Sequence, residues 1–366
     1  MTVAAAEDHG FMARALRLAR RGLYTTDPNP RVGCVIVRDG AVVGEGWHRR
    51  AGEPHAEIHA LREAGEAARG ATVYVTLEPC CHHGRTPPCS QALIEAGVAR
   101  VVAAMEDPNP RVAGQGLRAL REAGIEAEAG LLAEQAEALN PGFVQRMRHG
   151  RPWVRLKLAM SLDGRTAMAS GESRWITGEA ARADVHRLRA RSSAVLTGIG
   201  TVLADDPSLN ARLDEGIEVH QPLRLVLDAH LAMSPQARML SLSGKTLVLT
   251  CCQEEAPRRA LEAAGAEVCV LPGVGDRLDL DVVLKELARR EVNELMVEAG
   301  AVLAGGFLQA GRVDELVFYM APHLMGDGAR GLFHLPGLER MEERIALDIR
   351  DIRAVGRDWR IIAVPA

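Results

Sequence analysis

Two short stretches decide the fold and chemistry of this chain, Pro-His-Ala-Glu at 54–57 and Glu-Pro-Cys-Cys-His-His-Gly-Arg-Thr-Pro-Pro-Cys at 78–89. His55, Cys80 and Cys89 offer one imidazole and two thiolates, which are ligands that zinc prefers. Three protein ligands leave a fourth position for water, as in catalytic zinc sites, whereas four ligands are typical of structural sites. The sequence therefore predicts one catalytic zinc ion per chain.

Glu57 lies two residues beyond His55, in the first turn of a helix that Pro54 is expected to open. Both side chains can reach a metal ion beyond that open helix end. Cys89 precedes another helical run, and its thiolate is expected to gain stability from the helix N-terminus. The order of residues resembles the zinc nucleobase-deaminase signature, with eight residues instead of two between the cysteines. Because zinc lowers the pKa of its water to about 7, we predict that Glu57 accepts and returns protons and binds no metal.

Composition excludes several classes of protein. The chain has 366 residues, enough for two domains, with 47% hydrophobic and 25% charged residues, as in globular proteins. A net charge of −4 and 3% aromatic residues argue against a nucleic-acid binder. No apolar run reaches the roughly 18 residues that span a membrane. The N-terminus does not resemble a secretory signal, and seven cysteines, an odd number, indicate a reduced, cytoplasmic setting.

The order of predicted elements indicates two α/β domains, at 1–147 and 152–366. A basic stretch with Gly and Pro, 146–153, is the candidate linker. In the first domain, Asp39-Gly40 predicts a hairpin, the alternation of helix and strand predicts a largely parallel sheet, and 132–148 is expected to form one closing helix. The second domain restarts with a strand over 154–160.

Further stretches give a closer resemblance. They are TTDPNPRVGCVIV at 25–37, DPNPRVAG at 107–114, KLAMSLDGRTAMASGESRWIT at 157–177, LADDPSLNAR at 203–212 and VEAGAVLAGGFL at 297–308. Together with the zinc motif they resemble the bifunctional deaminase/reductase family of riboflavin biosynthesis over nearly the whole chain. The long spacing between the cysteines is normal in that family. Cys81 stands where the family is expected to have Ser, and whether it competes for the metal or is a bystander stays open.

The resemblance implies an N-terminal cytidine-deaminase-like zinc domain and a C-terminal dihydrofolate-reductase-like domain. It implies deamination of 2,5-diamino-6-(5-phosphoribosylamino)pyrimidin-4-one. NADPH then reduces the ribosyl arm to ribityl, giving 5-amino-6-(5-phosphoribitylamino)uracil. The expected partners are a small phosphorylated pyrimidine and NADPH, with no nucleic acid and no membrane. A homo-oligomer is left open.

Site residues of the reductase follow from the same resemblance, position by position. No GxGxxG fingerprint follows the first strand of this domain, and the Gly-rich turn comes late. Lys157 and Glu298 are expected beside the reacting sugar carbon. The implied NADPH site comprises Ala159, Trp175, Thr201, Asp205, Gly300, Ala301, Val302, Leu303, Ala304, Gly305 and Gly306. The implied substrate contacts are Ser173, Arg189, Leu209, Arg212 and Glu298. Ala229 stands where the family often has a hydroxyl, so NADPH rather than NADH is inferred from the family alone.

Substrate choice in the deaminase must come from other loops. The hexapeptide DPNPRV occurs at 27–32 and 107–112, and Asn29 and Asn109 in these turns are candidates to recognise the base. His48 and Arg85 are candidates for the sugar phosphate. The alternative is that all four are turn-forming or surface residues.

Two other functions agree with parts of this pattern. A nucleic-acid deaminase would share the zinc motif, but it disagrees with the acidic net charge, and tRNA binding that weakens with salt would favour it. A structural zinc module fused to a nucleotide sensor would bind NADPH without turnover. The open coordination position and Glu57 argue against it.

Overall fold

Two separate sheets organise the chain in the computed structural model, which describes residues 3–81, 88–110 and 112–366. The chain forms two compact units, Met1–Gly150 and Arg151–Ala366. The division falls inside the basic stretch 146–153. No described helix is long and apolar enough to cross a membrane.

The first unit is built on one five-stranded sheet within its described residues. Its strands are β1 (Gly33–Arg38), β2 (Ala41–Trp47), β3 (Thr72–Val75), β4 (Arg100–Ala103) and β5 (Glu126–Ala129), in the order β2-β1-β3-β4-β5. Its helices are α1 (Val3–Ala19), α2 (Ala56–Ala64), α3 (Cys89–Ala96), α4 (Gln115–Glu122), α5 (Ala133–Leu139) and α6 (Pro141–His149).

The hairpin prediction is confirmed, because β1 and β2 pair antiparallel around Asp39 and Gly40, whose φ angles are 52° and 76°. The prediction of a largely parallel sheet is wrong. β1 also pairs antiparallel with β3, and only β3, β4 and β5 are mutually parallel. The single helix over 132–148 is wrong as well. Asn140 leaves helical geometry and holds the backbone of Arg31 through both ends of its amide, and Pro141 then begins α6.

Both faces of this sheet are covered. Cys34 and Ile36 of β1 pack into the layer that contains α2, α3 and α4, whereas Val35 and Val37 pack into the layer of α1. The alternation follows from the two-residue period of a strand. Cys34 is fully buried, so its prediction as a core residue is confirmed.

The second unit has one large sheet and two small ones among its described residues. Its strands are β6 (Trp153–Ser161), β7 (Arg165–Ala167), β8 (Ala194–Gly198), β9 (Leu223–Leu227), β10 (Thr246–Thr250), β11 (Ala266–Val270), β12 (Gly273–Val274), β13 (Arg277–Leu278), β14 (Glu294–Val297), β15 (Glu315–Ala321), β16 (Arg330–Gly331), β17 (Leu347–Val355) and β18 (Asp358–Pro365). Its helices are α7 (Glu179–Arg191), α8 (Ile199–Asp205), α9 (Glu255–Ala263), α10 (Leu280–Arg289) and α11 (Ala301–Gln309).

The central strands of the large sheet indicate where a ligand would bind. Its order is β11-β10-β9-β8-β14-β6-β15-β18-β17, with seven parallel strands and an antiparallel pair, β18 and β17, at one side. In such sheets, ligands bind at the carboxyl ends of the parallel strands. The ends of β8, β14 and β6 are therefore the place to look for a site.

Candidate active sites

Three side chains of the zinc motif converge in the first unit. Nδ1 of His55 lies 3.6 Å from Sγ of Cys80 and 3.3 Å from Sγ of Cys89. A tetrahedral zinc ion with ordinary Zn–N and Zn–S bonds would separate these atoms by about 3.6 Å. This is the one cluster of three potential metal ligands found among the described residues, so the donor set and its spacing fit zinc.

Local structure brings these ligands together. His55 is the N-cap of α2, and Gly46 of β2 lets that helix approach, because a Cβ at Gly46 would lie 2.2 Å from the carbonyl oxygen of Ala56. Cys89 is the first residue of α3, as the helical run predicted. Its backbone N–H donates to Sγ of Cys80 at 3.3 Å. His55 and Cys89 therefore lie at the N-termini of two helices, and Cys80 lies in the loop that follows β3.

The charges at the cluster are those of a cation site. A hydrogen bond from Cys89, helped by His55, lowers the pKa of Cys80 to about 4. The bond to Cys80 in turn raises the pKa of His55 to about 9 and that of Cys89 above its ordinary value. Two adjacent thiolates repel each other, so a cation bound between Cys80 and Cys89 would stabilise both. The stabilisation predicted for the Cys89 thiolate therefore needs more than the helix end.

Glu57 lies in the first turn of α2, two residues after the ligand His55. Its side chain is 3% exposed, and its Oε2 has no hydrogen-bond partner among the described residues. Burial raises the pKa of this carboxyl group. A buried carboxyl group with a free oxygen and a raised pKa suits proton transfer.

Glu78 is an important residue that the sequence analysis missed. Its two carboxylate oxygens accept four backbone N–H groups, those of Asp107, Gly114, Gly116 and Leu117, at 2.8 to 3.2 Å. Glu78 thereby caps α4 and holds the second DPNP turn in place. In the sequence, Glu78 lies two residues before Cys80. A carboxylate just before a cysteine ligand, with Gly-rich turns further on, was the only signal in the sequence.

The first DPNP turn is joined to the zinc ligands through His48. The side-chain amide of Asn29 lies 3.0 Å from Nε2 of His48, whose ring is 5.3 Å from the ring of His55. His48 is 2% exposed, and its Nδ1 contacts the carbonyl oxygen of Pro54 at 3.2 Å. Asn29 is thus placed near the site, while a phosphate contact by His48 stays a prediction.

The other two residues predicted to contact the deaminase substrate are Asn109 and Arg85. The backbone N–H of Asn109 donates to Oδ1 of Asp107 within the second turn, at 2.8 Å. Arg85 lies outside the described residues.

A cavity of about 610 Å³ opens in the second unit, at the strand ends named above. It brings together ten of the 17 reductase residues that the resemblance implied, from β6, α7, α8, the residue after β14 and the loops at 173–177 and 205–212, whereas the turn at 300–306 does not line it. These are Lys157, Ala159, Ser173, Trp175, Arg189, Thr201, Asp205, Leu209, Arg212 and Glu298. Trp175 is 72% exposed and lies under the guanidinium of Arg182, so it is not a core aromatic residue.

The carboxylate of Glu298 contacts two basic side chains that line this cavity. Glu298 accepts two hydrogen bonds from Arg189, and its Oε2 lies 3.8 Å from Nζ of Lys157. Burial alone would raise the pKa of Glu298, but the two cations outweigh it and hold that pKa at about 2. Burial lowers the pKa of Lys157. The carboxylate is thus charged and oriented at neutral pH.

Ten further lining residues were not predicted, and four of them have a guanidinium or imidazole side chain. These four are Arg174, Arg182, His186 and Arg238. Arg182, His186 and Arg189 recur at the four- and three-residue spacing of one helix face, while Ala181, Val185 and Leu188 form the buried face of α7. This polar stripe was the available signal in the sequence.

The Gly-rich turn forms the start of α11, as predicted. Gly300 is the N-cap, which leaves the N–H groups of residues 301–303 at the helix end. Ala304 and Gly305 are buried, and a Cβ at Gly305 would lie 2.0 Å from the carbonyl oxygen of His334. Gly305 is therefore needed for packing. A ligand contact by Gly300–Gly306 stays a prediction.

Comparison with known proteins agrees with both sites. The description "Cytidine and deoxycytidylate deaminase zinc-binding region" matches residues 5–105, and "RibD C-terminal domain" matches residues 152–361. The chain is 54% identical over 362 residues to the riboflavin biosynthesis protein RibD of Escherichia coli K12, covering 96% of this chain and 98% of that protein. The chain belongs to the RibD family.

Solved RibD structures have the same fold. That of Acinetobacter baumannii, form 2, superposes with a TM-score of 0.93 at 45% identity, over 99% of this chain and 100% of that one. The Thermotoga maritima structure, described as a diaminohydroxyphosphoribosylaminopyrimidine deaminase/5-amino-6-(5-phosphoribosylamino)uracil reductase, gives 0.88 at 34% identity, over 99% and 100%.

The family confirms the predicted fold class and the predicted activity. The chain has an N-terminal cytidine-deaminase-like zinc-binding domain and a C-terminal RibD reductase domain. It is a bifunctional enzyme of riboflavin biosynthesis, a deaminase and a reductase. The structural zinc module with a sensor domain is thereby excluded.

Proposed function

We propose that residues 1–147 deaminate 2,5-diamino-6-(5-phosphoribosylamino)pyrimidin-4-one and that residues 152–366 reduce the ribosyl arm of its product to ribityl with NADPH. The observation that carries the proposal is the convergence of His55, Cys80 and Cys89 beside the buried Glu57. The substrate names come from the Thermotoga relative. We further propose a cytoplasmic location; the seven cysteines, all in described parts of the chain, are free.

In the deaminase, His55, Cys80 and Cys89 would hold the zinc ion. Zinc, when bound, supplies a Lewis acid that makes a water molecule nucleophilic at neutral pH. Glu57 takes one proton from the attacking water and passes it to the ring nitrogen. It then moves the second proton, that of the added hydroxyl group, to the leaving amino group, which departs as ammonia. Its raised pKa and unpartnered Oε2 support this role, since a shuttle must gain and lose a proton within one turnover. Asn29 and Asn109 are proposed to recognise the base, and His48 and Arg85 the sugar phosphate.

In the reductase, Ala159, Trp175, Thr201, Asp205 and the turn Gly300–Gly306 would hold NADPH, which supplies the hydride. Lys157 and Glu298 then act on the sugar. Opening of the ribosyl ring would leave a C=N bond at C1′, and reduction adds a hydride at that carbon and a proton at that nitrogen. Nζ of Lys157 would donate a proton to the ring oxygen as this oxygen leaves C1′ and becomes the C4′ hydroxyl. Glu298 keeps that ammonium group in place and accepts a hydrogen bond from a hydroxyl group of the sugar.

The charge of the cavity supports phosphorylated ligands. Six lining side chains are basic, against three carboxylates. The basic residues are Lys157, Arg174, Arg182, Arg189, Arg212 and Arg238, and the acidic residues are Asp205, Asp206 and Glu298. Such an excess suits both the phosphate of the substrate and the phosphates of NADPH. Ser173, Arg189, Leu209 and Arg212 are proposed to contact the substrate.

Mass spectrometry of the products tests the proposal. The full chain, loaded with zinc, is incubated with the diaminopyrimidinone ribotide, with and without NADPH. We expect an amino group to be replaced by oxygen without NADPH, and two hydrogens to be added only when NADPH is present. Deamination without any reduction would contradict the reductase assignment. The absence of both reactions, with zinc bound, would contradict both assignments.

A further inference from the structure

We propose that Arg182 is a positioning residue of the reductase, which holds the indole ring of Trp175 in place for contact with NADPH. The inference rests on the proposed function, because that function assigns Trp175 to the NADPH site. Both side chains line the cavity of the second unit. Arg182 belongs to the polar stripe of α7, and Trp175 lies in the loop at 173–177, just before this helix.

The loop is anchored on both sides of Trp175. Before it, the guanidinium of Arg174 donates a hydrogen bond to the carbonyl oxygen of Asp205 at 2.5 Å. After it, the backbone N–H of Gly178 donates to Oδ2 of Asp358 at 2.6 Å, and Asp358 is fully buried. Neither bond involves the indole ring, so these anchors leave the side-chain angles of Trp175 to be set by other contacts.

The indole of Trp175 has little packing of its own. It is 72% exposed, although tryptophan side chains bury most of their surface on average. The guanidinium carbon of Arg182 lies 4.7 Å from the centre of the ring, within the range of a cation–π contact. NH1 of the same guanidinium donates to the carbonyl oxygen of Thr177 at 2.7 Å. Arg182 thus joins the ring to the loop backbone, while most of the indole surface stays accessible to a ligand.

These contacts favour a positioning role for Arg182 over a direct contact with a phosphate. The orientation of its guanidinium is already set by two groups of the loop, the indole and the carbonyl oxygen of Thr177. The accessible surface of the indole is flat and apolar, which suits stacking with a planar ring such as a nicotinamide. Holding that surface in one orientation before the ligand binds lowers the entropy cost of ordering it in the complex. Removal of Arg182 should therefore weaken NADPH binding through Trp175.

The test is a double-mutant cycle of Arg182→Ala and Trp175→Ala in the full, zinc-loaded chain. The Kd of NADPH is measured by titration of its fluorescence. We expect both single variants to bind NADPH more weakly, with a Kd about three- to ten-fold higher in Arg182→Ala, since a cation–π contact is lost. In the Trp175→Ala background, Arg182→Ala should cause no further loss, because its effect passes through the indole.

Two further variants of α7 serve as controls. Arg182→Lys keeps a cation that can lie over the ring, so it should restore most of the affinity. Arg187→Ala is the matched control, because Arg187 is exposed on the same helix and does not line the cavity. Its Kd should equal that of the wild type. Thermal unfolding shows whether each variant is folded, and Arg182→Gln, which lacks the cation, replaces Arg182→Ala if that variant does not fold.

Three outcomes would overturn this inference. They are an unchanged Kd in Arg182→Ala, the same loss from Arg182→Ala with and without the indole, and no recovery of affinity in Arg182→Lys. The second outcome would show that Arg182 binds NADPH directly.

Trp175→Ala separates the inference from the proposed function. If Trp175→Ala weakens NADPH binding and Arg182→Ala does not, only the role of Arg182 is wrong. If Trp175→Ala leaves the Kd unchanged, the assignment of Trp175 to the NADPH site is wrong as well.

Discussion

Glu78→Gln should destabilise the first unit strongly. The carboxylate accepts four backbone N–H groups, two at each oxygen, and it is 3% exposed. An amide keeps one oxygen and presents an NH₂ group to the other two donors. Hydrogen bonds to charged groups contribute about 1.5 to 3 kcal/mol each. The loss of two therefore predicts a destabilisation of about 3 to 6 kcal/mol.

Native-state hydrogen exchange followed by mass spectrometry measures this change in each unit separately. A destabilisation of about 3 kcal/mol makes a globally exchanging amide exchange about a hundred-fold faster. We expect that acceleration in peptides of β3, β4 and α4, with the strands of the second unit as an internal reference. Reduction of the deaminated ribotide should continue.

Glu122→Gln is the control, because Glu122 is exposed near the end of the same helix. Its effect should stay within about 0.5 kcal/mol. If α4 and β4 exchange at the wild-type rate in Glu78→Gln, or if both variants accelerate exchange equally, the role assigned to the four hydrogen bonds is refuted.

Further predictions concern both sites. Glu57→Gln should retain zinc, measured by atomic absorption, while its rate of deamination should fall about 10²- to 10⁴-fold. His55→Ala should lose both the zinc ion and the deaminase activity. Deaminase turnover retained in Glu57→Gln would contradict proton transfer by this residue. A chelator should stop deamination and spare reduction of added deaminated ribotide, and loss of both activities after clean removal of zinc would contradict separate sites. Because the folded-state pKa of Glu298 is about 2, below its ordinary value of 4.5, the carboxylate stabilises the fold above pH 4.5, and this contribution disappears as the pH falls toward 2. Acid unfolding of the second unit should therefore depend less on pH in Glu298→Gln, and an unchanged dependence would contradict the ion pairs with Arg189 and Lys157.

Sequence patterns located most elements, and their failures have physical causes. The closing helix was predicted as one because its apolar period continues through Asn140, where contacts with the backbone of Arg31 override helical geometry. The strands β17 and β18 were not predicted. β17 is an exposed edge strand, so it has no buried face to mark it in the sequence. The hairpin at Asp39-Gly40 was predictable because its turn is determined by two adjacent residues.

The order of His55, Glu57, Cys80 and Cys89 by itself determined the zinc chemistry, since ligand type and helix position are local properties. The family resemblance added the reductase and its candidate residues. Only the tertiary structure showed that Glu78 supports both a helix and a distant turn, and that His186 and Arg212 are in contact at the wall of the cavity. These relations depend on segments 26 or more residues apart in the chain. No local pattern encodes such distances, because packing of separate elements brings those side chains together.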